Sequence, residues 1–125
     1  MYYITIKGHF SSAHNLREYK GKCEDLHGHN WKVDVVLKGG KLDKTGMLVD
    51  FKEAKKWMNK VLGRLDHTYL NETPPFDQTN PTSENIAHYI FQEMKLKVKT
   101  YKNVPVAVHK IMVWENENSA ATYEE

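Results

Sequence analysis

At 125 residues the chain is shorter than the ~150 residues usually allotted to a domain, so one domain is expected, spanning residues 1–125. Hydrophobic residues at 40% and charged residues at 27% match an ordinary globular protein and exclude a disordered or fibrous chain. The formal charge of +2, from 18 basic and 16 acidic side chains, is too small for a strong general pull on nucleic acid or an anionic membrane, and neither partner is expected. No apolar run approaches the ~18 residues of a membrane span. The start, Met1-Tyr2-Tyr3-Ile4-Thr5-Ile6-Lys7, lacks the basic flank and apolar stretch of a signal peptide and reads as a strand. One cysteine, Cys23, cannot form an intrachain disulfide, which excludes a disulfide-stapled scaffold and points to the cytoplasm.

In residues 2–7, Tyr2, Ile4 and Ile6 alternate with Tyr3, Thr5 and Lys7, a strand pattern. Residues 30–38 alternate more clearly, with Trp31, Val33, Val35 and Leu37 on one face and Lys32, Asp34 and Lys38 opposite; Gly39-Gly40 ends the run. Asp50, with Glu53 three residues on, marks a helix start. Phe51, Ala54, Met58, Val61, Leu62 and Leu65 then follow helical spacing, Lys52, Lys55, Lys56 and Lys60 take the outer face, and Gly63 is the expected stop. From Glu72 to Pro81 the prolines and short polar residues predict a loop. Thr82 caps a second helix with Glu84 in its first turn and Ile86, Ala87, Ile90, Phe91 and Met94 as its stripe. After a lysine-rich turn, residues 104–115 read as a strand with Val106, Val108, Met112 and Trp114 on one face. Ala107, Ile111, Val113 and Glu115 take the other, and residues 119–124 read as a last edge strand. Helices grouped between strand pairs predict an α+β fold with an antiparallel sheet, and its two open edges predict an oligomer.

Three histidines stand out. His27 and His29 flank Gly28, and side chains two apart on extended chain project to one face. If the first two strands form a hairpin, His14 returns opposite them, and three neutral imidazoles make a zinc site with an open fourth position. His9, His88 and His109 have no such company and read as structural or surface residues. Cys23, four residues before His27 and next to Lys22, has three readings: an inert thiol, a fourth zinc ligand, or a reactive thiolate. Asp66-His67 is a weak signal by itself, since a histidine near a helix end commonly answers the dipole. Glu115, on an apolar face, needs either a protein cation or a ligand donor as its partner.

Six stretches occur together: Phe10-Ser11-Ser12-Ala13-His14, Cys23 through Trp31, Gly46-Met47-Leu48-Val49-Asp50-Phe51, Leu65-Asp66-His67, Asn80-Pro81-Thr82-Ser83-Glu84-Asn85 and Val113-Trp114-Glu115. In this order, over nearly the whole chain, they resemble the 6-pyruvoyl-tetrahydropterin synthase family, and most closely its 6-carboxy-tetrahydropterin synthase branch of the queuosine pathway. The resemblance implies the tunnelling fold: a four-stranded antiparallel sheet with two helices on one face, three subunits closing a barrel and two trimers forming a hexamer. It implies that His14, His27 and His29 hold zinc and that Cys23 accepts a proton. It further implies that His67, oriented by Asp66, relays protons, that Glu84 anchors a pterin with Thr82 and Ser83 beside it, and that Glu115 serves a charge relay. The implied substrate is 7,8-dihydroneopterin triphosphate.

Only three residues separate Cys23 from His27, and that short gap favours the carboxypterin branch, in which the side chain is cleaved to acetaldehyde and triphosphate. The biopterin type, which eliminates triphosphate and keeps a pyruvoyl chain, is the runner-up. A third branch, with glutamate in place of the cysteine, is disfavoured because Cys23 holds that position. From another class, a non-catalytic zinc-stabilised binding module would use Cys23 as a fourth ligand. A zinc hydrolase lacks the His-Glu-x-x-His helix.

Overall fold

A long antiparallel hairpin is the spine of the computed structural model, which describes residues 1–21 and 24–125. Strand β1 (Tyr2–His14) pairs with β2 (His27–Gly39) in unbroken register from Tyr2 opposite Gly39 to His14 opposite His27. Both strands run well past the limits expected from apolar alternation. The alternation does continue along β1, but through small and polar inward residues: Gly8, Phe10, Ser12 and His14. Gly8 lies where the first helix crosses. A Cβ there would sit 2.7 Å from Met58 Cε and 2.9 Å from Leu62 Cδ1.

Helix α1 (Phe51–Gly63) begins where Asp50 accepts the Lys52 N–H, and α2 (Ser83–Val98) where Thr82 accepts the Asn85 N–H. Between them a two-residue strand, β3 (Thr68–Tyr69), joins the free edge of β1 in parallel, opposite Ser12 and Ala13. Strands β4 (Ala107–Asn116) and β5 (Ser119–Glu124) complete a mixed sheet of order β3-β1-β2-β4-β5. The four expected antiparallel strands are therefore joined by a fifth, too short to carry a periodic signal.

Both helices lie on one face of the sheet. Ala54, Trp57, Met58, Val61 and Leu62 of α1, and Ile86, Ala87, Ile90, Phe91 and Met94 of α2, bury against Ile6, Phe10, Trp31, Val33, Val35 and Leu37. Two expectations fail here. Phe51 is exposed rather than part of the α1 stripe, and Trp57 fills the core instead. On β4, Val36 pairs with Lys110 but Leu37 with Val108, so His109 is an extra, bulged residue. The bulge shifts the pleat by one, which turns Val108 inward with Ile111 and Val113. Strict alternation cannot anticipate that.

Gly39 closes β2 where no side chain fits. A Cβ would lie 2.7 Å from the Pro105 carbonyl oxygen and would overlap Leu48 Cδ1, whereas one at Gly40 would meet no described atom within 4 Å. Backbone cannot yield as a side chain can, so Gly39→Ala should cost about 1–3 kcal/mol, the usual range for overpacking. Gly40→Ala should stay within about 0.5 kcal/mol. Equilibrium urea unfolding of the two variants compares them directly.

Candidate metal centre

The hairpin register brings the three histidines together. His14 faces His27 across the strands, and His29 stands two residues on, opposite Ser12. All three extend the helix-side face that carries Phe10 and Trp31, beyond the end of the apolar core. Trp31 is the floor: its ring lies 5.0 Å from His14 and 5.2 Å from His29, edge-on to both, and stacks on Phe10 beneath at 5.7 Å. One nitrogen from each imidazole falls within 4.8 Å of the others, so the three could hold a metal ion.

Hydrogen bonds at the far side of two rings fix the tautomers. His14 Nδ1 lies 2.8 Å from the Pro81 carbonyl oxygen, and His27 Nδ1 lies 2.9 Å from that of Asp25. A carbonyl can only accept, so each Nδ1 carries the proton, and in the neutral rings each Nε2 presents a lone pair. Those two Nε2 atoms face one another at 3.0 Å. Paired lone pairs at that distance repel unless a cation lies between them. His29 Nε2 is buried, has no hydrogen-bond partner among the described residues, and lies 3.5 Å from a Glu115 carboxylate oxygen. Burial pushes the His29 pKa down, the neighbouring His14 and His27 add to the shift, and Glu115 opposes it. The donor set therefore fits a divalent cation that favours neutral imidazole, and backbone carbonyls behind two rings are the usual outer partners of such ligands.

Glu115 reaches this place through a second bulge. Trp114 pairs with Ala120 and Asn116 with Ser119, leaving Glu115 unopposed on β5. Its partner is thus an imidazole, not a lysine or arginine.

Asp66 and His67 form a separate pair at the β1 edge. Asp66 Oδ1 accepts the Ser11 N–H at 2.9 Å, Asp66 Oδ2 lies 3.0 Å from His67 Nδ1, and the His67 N–H donates to the Ser11 carbonyl at 2.6 Å. His67 holds a left-handed φ of 56°, and its side chain is 84% exposed. Among the described residues, no hydrogen bond or ion pair links it to the three imidazoles. The Ser11 N–H, then His67, hold the Asp66 carboxyl below its ordinary range. A carboxylate so depressed stabilises the fold at pH above its unfolded pKa of about 4, and that support is lost as pH falls through the lower folded value. Asp66→Asn should therefore flatten the acid limb of the stability profile below about pH 4, read by thermal unfolding across pH.

At the start of α2 the Thr82 hydroxyl caps the helix, Ser83 is half-buried and Glu84 is exposed. The Pro81 carbonyl ties this helix start to His14. Cys23 and Lys22 lie outside the described residues. The framework around His14 is not foreshadowed by the sequence. The Asn71 carboxamide binds both the N–H and the C=O of Asn15, at 3.0 and 2.8 Å, and Asn80 does the same to Arg17, at 2.9 and 3.3 Å. Between them Glu24 grips Leu16, accepting its N–H at 3.2 Å and donating its own to the Leu16 carbonyl at 2.9 Å. Asn80 lies in the loop expected over Glu72–Pro81 and Asn71 just before it, and neither position reveals a partner.

Comparison with known proteins agrees with this geometry. The family model described as 6-pyruvoyl tetrahydropterin synthase matches residues 3–125. The 6-carboxy-5,6,7,8-tetrahydropterin synthase of Bacillus subtilis is 35% identical over 120 residues, covering 92% of this chain and 80% of that protein. Its counterpart in Synechocystis is 34% identical over 128 residues, covering 98% and 93%. Among solved structures, the 6-pyruvoyl tetrahydropterin synthase of Caenorhabditis elegans superposes with a TM-score of 0.80 at 31% identity, over 100% of this chain and 97% of that one.

Proposed function

The chain belongs to the 6-pyruvoyl tetrahydropterin synthase family, and from that premise we propose that it is a zinc-dependent lyase making 6-carboxy-5,6,7,8-tetrahydropterin for queuosine synthesis in the cytoplasm. Its substrate is 7,8-dihydroneopterin triphosphate, which with water yields the carboxypterin, acetaldehyde and triphosphate. The observation that carries this reading is the convergence of His14, His27 and His29, two of them with Nδ1 already committed to backbone carbonyls. Bound there, zinc supplies Lewis acidity that makes the hydroxyls of the substrate side chain, and the adjacent C–H, more acidic.

The protein's own groups do the rest. Glu84, exposed at the head of α2, accepts two parallel hydrogen bonds from the ring N–H and 2-amino group of the pterin, with Thr82 and Ser83 beside it. The helix start is tied to His14 through Pro81, so pterin and side chain are held in fixed relation. The Cys23 thiolate takes the proton from carbon as general base. Asp66 holds the His67 ring by its Nδ1–H, leaving Nε2 free to exchange protons. Glu115 stands against His29, where it stabilises positive charge that develops at the imidazoles.

We place the working enzyme in a hexamer of two trimers whose sheets close into barrels. Among the described residues the outer edge of β5 and most of that of β1 lack a strand partner, which supports this assembly. An exposed His67 clamped in a left-handed conformation suits a group that serves a neighbouring subunit's site.

Mass spectrometry of the products from zinc-loaded protein and 7,8-dihydroneopterin triphosphate tests the assignment. The carboxypterin is expected, with acetaldehyde trapped as its hydrazone. The pyruvoyl product alone would move the protein to the biopterin-type synthases, and no turnover at all would leave the binding-module reading.

A further inference from the structure

The strand that delivers His14 does not end its pairing where its neighbours end. Beyond His14, no strand among the described residues lies beside residues 15–17, yet their backbone polar groups are met one after another. The Asn71 carboxamide takes both groups of Asn15, Glu24 takes both of Leu16 from its own side chain and backbone, and the Asn80 carboxamide takes both of Arg17. Asn71 and Asn80 act on alternate residues, as the backbone of an adjacent strand would. A carboxamide has one acceptor and one donor group at the spacing of a peptide, so it can substitute for a strand residue.

Asn80 is placed at both ends of the link that orients His14. Its side chain grips Arg17, three residues after His14. Its own carbonyl is held by the Thr82 N–H at 2.8 Å and by the Asn85 carboxamide at 2.9 Å, which locks it to the first turn of α2. The next residue, Pro81, supplies the carbonyl that accepts from His14 Nδ1. The Arg17 guanidinium reinforces the same junction by donating to the carbonyls of Asn71, Phe76 and Thr79 at 3.0, 2.6 and 3.3 Å. The chain after β1 and the loop before α2 are thus joined on both sides of the His14–Pro81 bond.

We propose that Asn80, seconded by Asn71, is a positioning residue for metal binding: its carboxamide extends the pairing of β1 and sets the Pro81 carbonyl against His14, fixing the tautomer and direction of that ring. This deepens the proposed function and rests on its assignment of the three histidines to a metal. Losing an outer partner of a metal ligand typically weakens binding about 10–100-fold, and that loss is the expected consequence of freeing Pro81.

The test measures zinc(II) affinity by competition with a chromophoric chelator, on protein shown folded by circular dichroism and gel filtration. Asn80→Ala should bind zinc at least about tenfold more weakly. Asn80→Asp keeps an acceptor for the Arg17 N–H and loses the donor to the Arg17 carbonyl, so it should fall between the alanine variant and wild type, about threefold or more below the latter. Asn71→Asp should follow the same direction. Gly39→Ala, destabilised at the opposite end of the hairpin, should keep wild-type affinity, which separates positioning from general loss of stability. Wild-type zinc affinity in folded Asn80→Ala, or in Asn80→Asp should the alanine variant not fold, overturns the inference. Equal weakening in Gly39→Ala overturns it too. Absence of zinc binding by the wild-type protein would instead remove the functional reading on which the inference rests.

Discussion

A His29→Ala protein should bind zinc more than about 100-fold more weakly than wild type, since loss of an outer partner alone costs 10–100-fold, and its turnover should fall with its metal content. His29 is the best of the three to remove. His14 is 1% exposed, and its Nδ1 satisfies the Pro81 carbonyl, so alanine there would leave a buried acceptor unpaired as well as a ligand missing. Among the described residues His29 makes no such bond; its Nε2 lies 3.5 Å from Glu115, whose side chain is 35% exposed and stays hydrated when the imidazole is lost. In the metal-free protein its removal should therefore cost little, and should even relieve the crowding of three imidazoles whose centroids lie 4.6–5.2 Å apart. Opposite effects on the two forms are the signature: weaker zinc binding with metal-free stability held or raised. The matched control is His88→Ala, from the exposed face of α2, which should leave zinc content unchanged. Metal content by atomic emission and thermal unfolding with and without chelator give both readings. If His29→Ala retains full zinc occupancy at the wild-type affinity, the three histidines are not the metal site.

How much of this was legible follows from where each feature stores its information. The hairpin and its histidines were readable because period-2 geometry is local: His27 and His29 share a face whatever else the chain does, and His14 opposes them once the strands pair. The helix starts were readable because a cap acts within three residues, as Asp50 and Thr82 do. Features set by a distant partner were not readable. The His109 bulge depends on how β4 meets β2, and it reversed the predicted face of Val108. Phe51 and Trp57 are both large and apolar at helix-compatible positions, and only the placement of α1 on the sheet decides which is covered. Asn80 falls inside the loop expected over Glu72–Pro81 and Asn71 just before it, but their carboxamides bind residues 63 and 56 positions away in sequence. The Glu115–His29 contact lies between these cases: the sequence required a partner for the carboxylate, and the sheet order supplied it.

Replacing Cys23 with alanine should lower turnover about 10²–10⁴-fold, the range that a positioned general base contributes, with zinc content unchanged. Three imidazoles converge from the hairpin, and both Nδ1 donors fixed by backbone carbonyls belong to rings whose Nε2 atoms point at the same place. A three-ligand site with room for substrate is the catalytic form of zinc, and a fourth protein ligand would close it. If Cys23 were that ligand, its removal would cost both the metal and the stability the metal lends. If it is the base, the metal stays and only proton abstraction suffers. Cys23→Ser sharpens the distinction, because serine keeps the size of the side chain while its hydroxyl stays protonated near neutral pH. As a base, serine should be nearly as poor as alanine. Solvent-deuterium exchange into the side chain of recovered substrate reports the proton step alone, and its rate should fall in both variants while zinc content remains at the wild-type level. Joint loss of zinc and of cooperative unfolding in Cys23→Ala would make the protein a zinc-stabilised module instead of a lyase.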